Sequence, residues 1–377
     1  MNWRIPLADI DFGQEEYEAV EAVLKSKWLT MGAVTQQFEN DFSAYTKIEH
    51  CIAVSNCTAA LHLAMVALGI GDEDEVIVPS LSFVATANAV RYTGAKPIFA
   101  DINDINDLNI SVSSIQSHIT HKTKAIIVMH YGGYACDMKA ILALARTHQL
   151  YVVEDAAHAV GASLDGKQLG GWGDIGCFSF FPNKNMTTAE GGLVATNNAE
   201  LASKIRLLRS HGMTSITWDR HQGHAWSYDV VELGYNFRID EIRAALGVAQ
   251  LKKLPSNNHK RRWLTNEYWH RLEREVPEVS LPFRGHRGES ACHIMPVILP
   301  EGMDRTAIME RMKGQGIQTS IHYPPIHLFS DYRKQGAIPM LEKTEDLAKR
   351  ELTLPLFAGM EIDEVNLVVA ALKASFA

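Results

Sequence analysis

The chain is poor in the features that mark several protein classes. Of its 377 residues only five are cysteine, at positions 51, 57, 136, 177 and 292, an odd number at wide spacing with no CxxC pair. Neither a disulfide framework nor a structural zinc site is built that way, so reduced thiols in a cytoplasmic protein are the expectation. Gly and Pro, 26 and 13 residues, are too few for a collagen-like or low-complexity chain. Positive charge is in deficit, with 36 Lys and Arg against 44 Asp and Glu and a net charge of −8. That balance argues against a nucleic-acid binder or a polybasic membrane binder, while leaving room for a local basic pocket for a small anion. Long apolar runs are missing too. The longest uncharged, apolar-leaning stretch, 76–90, is too short and too rich in Ser, Thr and Asn to cross a bilayer. The N-terminal segment has one Arg, then acids and no apolar core, and does not read as a secretory signal. What is present is a globular composition, 46% apolar and 21% charged, which excludes dominant disorder. At roughly 100–200 residues per domain, the length suggests two domains.

The first two-thirds alternate regularly. Short apolar runs rich in Val and Ile occur at 51–55, 75–79, 96–102, 124–130 and 151–155, as expected for strands buried on both faces. Amphipathic stretches lie between them. One, 58–69, carries Leu61, Ala64, Met65 and Leu68 on one face and stops at Gly69; another spans 138–148. Strand, helix, strand in succession means parallel strands and a doubly wound α/β layer. Further runs at 175–180 and 192–196 flank a polar loop, and a helix follows at 199–210. Residues 211–235, polar and aromatic, read as a long functional or interface loop. A helix at 240–254 is expected to stop at Pro255. Candidate strands near 292–299 and 318–322 and a final helix at 363–374 fit a smaller α+β unit, with the boundary near residue 250.

Ligands of open parallel sheets bind beyond the C-terminal strand ends. There, Asn56-Cys57-Thr58-Ala59 opens a helix, which is either an ordinary N-cap or an anion site. Glu154-Asp155 closes a strand, where a carboxylate serves as an N-cap, a metal ligand, a base or a partner for a cationic ring nitrogen. Lys184 follows in an aromatic, then small-residue context. A desolvated Lys has a lowered pKa and forms imines with aldehydes, although most loop lysines are simply solvated. The combination of anion-binding helix start, strand-end carboxylate and Lys suits one cofactor, pyridoxal 5′-phosphate (PLP).

Motifs along nearly the whole chain carry a resemblance. They are WLTMG at 28–32, SNCTAALHLA at 55–64, PSLSFVATANA at 79–89, EDAAH at 154–158, FSF at 178–180 with Lys184 and TAEGG at 188–192, GYNFRIDEI at 234–242, HYPPIH at 322–327 and LPLF at 354–357. In order and spacing they resemble the DegT/DnrJ/StrS family of sugar-nucleotide aminotransferases, PLP enzymes of fold-type I. The resemblance implies a mostly parallel, doubly wound sheet in a large PLP-binding domain, 1–250, with a small C-terminal α+β domain, 251–377. It implies Lys184 as the Schiff-base lysine and proton carrier, and Asp155 as partner of the pyridinium nitrogen. It implies Thr58, Ala59 and Ser179 at the phosphate and Phe83 stacked on the ring. Asn236 would reach the phosphate of a neighbouring subunit's cofactor, making the active unit a homodimer. Pyridoxamine 5′-phosphate would form from glutamate, the amino donor, and a keto-sugar nucleotide would accept the amine. The setting implied is surface polysaccharide or glycoconjugate synthesis, lipopolysaccharide included.

Two positions depart from the family pattern. His158 stands where Gln is frequent, so its tautomer and charge become variables. Cys57 stands where Gly is frequent, and a structural, buried thiol is the favoured reading. Relatives that act as dehydratases carry His in place of the Lys, so Lys184 favours transamination. Arg238 suits a donor carboxylate or an interface salt bridge. Thr30, His322, Tyr323 and His327 sit where the family places the sugar nucleotide. His221 and His224, with Trp218 and Trp226 nearby, form an HxxH that lacks a visible third ligand, so no metal is expected and an interface or gating loop is favoured. Two other readings are a cyclitol or other non-nucleotide ketone as acceptor, and a catalytically weak regulatory homologue.

Overall fold

The computed structural model describes residues 3–376 apart from 216–217, 219–220, 222, 224–226 and 335–338. In chain order the strands are β1 (His50–Val54), β2 (Glu75–Pro79), β3 (Lys96–Ala100), β4 (Ile102–Asp104), β5 (Asp107–Ile110), β6 (Thr123–Met129), β7 (Tyr151–Asp155), β8 (Ser163–Leu164), β9 (Lys167–Gln168), β10 (Ile175–Ser179), β11 (Gly192–Thr196), β12 (Met295–Ile298) and β13 (Glu351–Leu354). Seven of them form one sheet in the order β1-β11-β10-β7-β6-β2-β3. The neighbours from β10 to β3 are parallel, and β11 runs antiparallel to both β10 and β1. The mostly parallel α/β sheet expected from the alternating apolar runs is therefore present.

The run 96–102 is broken into two elements. Asp101 Oδ1 accepts from the amide of Ile102 at 2.9 Å and from the amide and hydroxyl of Thr344 at 2.8 and 2.7 Å, which turns the chain out of the sheet into the β4–β5 hairpin. The run 318–322 contributes only an isolated bridge, from Ser320 to Thr353.

The expected stop at Pro255 is overturned: one helix, Glu241–Glu275, runs through it for 35 residues. A proline inside a helix costs about 3 kcal/mol because the carbonyl of Leu251 loses its N–H partner. Packing outweighs that cost. The helix lies against the Gln14–Ser26 and Ala33–Thr46 helices and against the Ile362–Ala374 helix. Residue 250 lies within this helix. Its later residues Leu264, Tyr268 and Leu272 share one buried cluster with Val297 of β12, Leu352 of β13, and Val365 and Val368.

Strands β1, β2, β7 and β10 end at one edge of the sheet, and that edge carries the site. At the start of β11, a Cβ on Gly192 would lie 2.4 Å from the backbone carbon of Asn56, so only glycine lets this strand press against the start of the Cys57–Ala67 helix. Among the described residues no helix is long and apolar enough to cross a membrane.

Candidate active site

A cleft of about 820 Å³ opens over these strand ends. Its walls bring together Thr58, Ala59, Phe83, Asp155, His158, Ser179, Lys184, Asn236, His322 and Tyr323, ten of the residues singled out above. Thr30, Arg238 and His327 are not on its walls. Thr30 is exposed just ahead of the Ala33–Thr46 helix. Arg238 is half-buried and bridges to Val54 through its backbone, its guanidinium held below the ordinary range by burial and by Arg209. His327 is buried, with Nδ1 2.6 Å from Ser80 Oγ and Nε2 3.3 Å from Glu345 Oε1.

The two acids that close β7 point to opposite faces, as successive strand residues must. Glu154 faces away from the cleft. Its carboxylate accepts from the backbone amides of Gly170, Trp172 and Gly173 at 2.7, 2.6 and 2.7 Å and lies 2.9 Å from His130 Nε2. Asp155 faces the cleft. Its Oδ2 accepts from Thr86 Oγ1 at 2.7 Å and its Oδ1 from the amide of Ala157 at 3.2 Å. Burial pushes the Asp155 carboxyl up, and Thr86, Ala157 and the charges of Lys184 and His130 pull it back. Lys184 is half-buried. Removal from bulk water pushes its amine down to about 8, against the pull of Asp155 and Cys57. The neutral, nucleophilic amine is thus within reach near physiological pH.

At the helix start, Asn56 is indeed the N-cap: its Oδ1 accepts from the Ala59 amide at 2.8 Å. A phosphate oxygen directed at Ala59 would have to share that bond. The hydroxyl of Thr58 and the N-terminal dipole of an eleven-residue helix complete an anion-favouring end. Ser179 Oγ accepts from the amide of Phe181 at 3.5 Å, which leaves its proton to donate. Cys57 takes no positive φ, so glycine is not required there. The thiol is half-buried and lines the cleft rather than being sealed in the core, and its withdrawal from bulk water pushes it well up, keeping it protonated. Phe83 is 58% exposed and lines the cleft, its ring tilted against that of Tyr323 with the centres 6.1 Å apart.

The structure answers the question raised by His158. Its Nδ1 accepts from the Gly132 amide at 3.2 Å, so Nε2 carries the proton and donates to Tyr323 Oη at 2.8 Å. Burial, then Lys184 and His322, push the ring well below the ordinary histidine range, so it stays neutral. His322 is fixed in a parallel way. With Glu351 ionised, Thr353 Oγ1 donates to its Oε1 at 2.6 Å, so the Thr353 oxygen accepts from His322 Nδ1 at 2.8 Å and His322 Nε2 is left as an acceptor. The His322 amide donates to Glu351 Oε2 at 2.8 Å. Burial pushes His322 down to about 3 and Glu351 up to about 7.

Four contributors were not read from the sequence: Thr86, Glu351, Asn185 and His293, whose Nε2 lies 3.4 Å from Lys184 Nζ. Thr86 falls inside the motif at 79–89, and its role comes from the fold, which brings its hydroxyl to Asp155. In the aromatic loop, the Trp28 ring meets Trp218 at 5.0 Å and His221 at 4.5 Å. His224 and Trp226 lie outside the described residues.

A mostly parallel α/β sheet with a desolvated lysine, a strand-end carboxylate and a helix start around one cleft fits pyridoxal phosphate, and defines a PLP-dependent aminotransferase of fold-type I. Across residues 11–373 the chain matches the DegT/DnrJ/EryC1/StrS aminotransferase family, and it belongs to that family. The spore coat polysaccharide biosynthesis protein SpsC of Bacillus subtilis is 39% identical over 96% of this chain and 94% of its own length. PseC of Helicobacter pylori, an aminotransferase involved in the biosynthesis of pseudoaminic acid, superposes with a TM-score of 0.92 at 30% identity, covering 99% of each chain. Spr1654 of Streptococcus pneumoniae in its PLP form superposes with a TM-score of 0.91 at 27% identity, covering 98% of each.

Proposed function

We propose that this aminotransferase moves an amino group from glutamate to the 4-keto or 3-keto carbon of a nucleotide-linked deoxysugar, for surface polysaccharide or glycoconjugate synthesis in the cytoplasm. The observation that carries the reading is the desolvated Lys184 beside the buried Asp155 in a cleft of about 820 Å³. The names of SpsC and PseC support a sugar as the acceptor.

When bound, PLP supplies an aldehyde to take up the amine and a protonated ring to withdraw electrons from the reacting carbon. Asp155 would hold the ring nitrogen protonated, and a cation there would in turn keep Asp155 ionised despite its burial. Thr58, Ser179 and the helix start would hold the phosphate, with Ala59 sharing its amide. Phe83 would cover one face of the ring, and His158 with Tyr323 would orient its hydroxyl edge. Lys184 would take a proton from the donor carbon and return one to the acceptor side. His322 Nε2, free to accept, would meet a sugar hydroxyl. In a homodimer Asn236 would reach the partner's cofactor phosphate, and Arg238 and Thr30 would meet substrate across the same interface. The cleft would draw on both the 1–250 and the 251–377 units, the second through His322 and Tyr323.

A visible absorbance spectrum of the purified protein, before and after glutamate, tests the reading. A yellow band that glutamate bleaches is the expected result. A band indifferent to glutamate removes it as the donor, and no band after adding PLP overturns the assignment of the site. A panel of keto-sugar nucleotides against inosose-type ketones then tests the acceptor.

A further inference from the structure

Lys184 has a partner that its own motif does not contain. Its Nζ lies 3.4 Å from Nε2 of His293, a buried ring just ahead of β12. Which atom donates depends on the imidazole tautomer, and the neighbours decide that tautomer. Asn258 Nδ2 donates to the Val160 carbonyl at 2.9 Å, so Asn258 Oδ1 faces Asn185. Asn185 Nδ2 donates to that oxygen at 2.7 Å and to the Ala291 carbonyl at 2.7 Å. With both amide protons committed, Asn185 Oδ1 is the atom 3.0 Å from His293 Nδ1, and an amide oxygen only accepts. Nδ1 therefore carries the ring proton, and Nε2 turns a lone pair toward Lys184. A second proton on this ring is disfavoured by burial and by His158 (ring centres 4.3 Å apart), Lys184, Arg261 and His322 around it. Asp155 and Cys57 favour the charged form of the lysine, against its burial.

A neutral amine has two N–H bonds and one lone pair. The opposite tautomer of His293 would donate into that lone pair and take it away from the cleft. The tautomer present engages only an N–H.

We propose that His293 is a positioning residue for the reacting amine, locked by Asn185 and Asn258 in the tautomer that holds a Lys184 N–H and leaves the lysine lone pair for the cleft. This rests on Lys184 being that amine.

The test follows the pH dependence of the rate at which the cofactor-stripped full chain regains its visible band on mixing with PLP, which reads the reactivity of Lys184 without turnover. The wild-type rate should rise through about pH 8 with no histidine limb. Asn185→Asp places a carboxylate on Nδ1 and favours an imidazolium whose Nε2–H faces the lysine. A new acid limb near pH 6–7, losing about tenfold, is expected. His293→Phe should lower the plateau rate about tenfold, and His293→Gln, whose amide oxygen can accept from Lys184, should recover most of that loss. A folded His293→Phe variant with the wild-type rate and curve overturns the proposal. If that variant does not fold, Asn185→Asp decides alone, the acid limb supporting the lock and a wild-type curve overturning it. Lys184→Ala must never regain the band; a band there overturns the reading of Lys184 itself, and the two failures are thereby told apart.

Discussion

The two walls of the cleft are built by different means. On one wall Thr58, Asp155, Ser179 and Lys184 sit at strand ends or in the segments that follow them, each delivered by backbone register. On the other, side chains hold side chains: Glu351 fixes Thr353 and Thr353 fixes His322, His158 holds Tyr323, and behind the wall Asn258 and Asn185 hold His293 against Lys184. The first wall places charge and the second places protons. Damage to the first should therefore remove chemistry outright, and damage to the second should change how activity or stability depends on pH.

The largest effect is expected at the first wall. Lys184→Ala should lose turnover by roughly 10⁴-fold or more, read as glutamate-dependent amine transfer. A rate comparable to wild type would dissolve the contrast, because the amine would not be needed. Asp155→Asn keeps the shape and removes the charge, and a loss of about 10²–10³-fold in kcat is expected. Thr86→Val, which removes only a hydrogen bond to that carboxylate, should lose less, about tenfold. Equal losses for the two would mean that orientation rather than charge is what Asp155 supplies.

At the second wall, Glu351 tests the relay through stability. Burial pushes its carboxyl from 4.5 up to about 7, so the folded chain keeps a proton that the unfolded chain has already released. Its contribution to folding is fully present below about pH 4.5 and is lost as pH rises through about 7. Glu351→Gln removes that dependence. Between about pH 5 and pH 8 the stability of the variant, followed through its melting temperature, should gain on wild type by on the order of a few kcal/mol at most. A constant difference across that range would show that Glu351 is ionised throughout. The smallest effect sharpens the division within one motif. His322→Gln should lower kcat/KM more than His327→Gln, whose ring contacts Ser80 and Glu345 outside the cleft. The reverse ranking would return His327 to the substrate side.

The same division explains what was legible in the sequence. β2, β7, β11 and the Met138–His148 helix fall where the apolar runs and the 3.6 spacing put them, because strands buried on both faces leave unbroken apolar runs. Asp155 and Lys184 were readable because their chemistry comes with a local address, a strand end and a loop. His293 was not readable. Its meaning depends on Asn185 and Asn258, far away in sequence, and on carbonyls that only the fold brings near. The tautomer of His158 rests on one backbone amide, that of Gly132, which no side-chain pattern announces. Pro255 misled for a related reason, since a local breaking signal was overruled by helices packed along both halves of Glu241–Glu275.

The paired acids of β7 carry a consequence for how the chain reaches this structure. A slip of β7 by one residue would exchange its faces. The slip that brings Asp155 to the place of Glu154 would offer it to the pocket of amides from Gly170, Trp172 and Gly173, which it is one methylene too short to fill, and would carry Glu154 to the place of Val153 in a buried apolar cluster. Each amide left without an acceptor costs about 1–3 kcal/mol. The strand that carries the ring-facing acid thus proofreads its own alignment, and a mispaired sheet would be rejected during folding before a cofactor could be recruited to a faulty site.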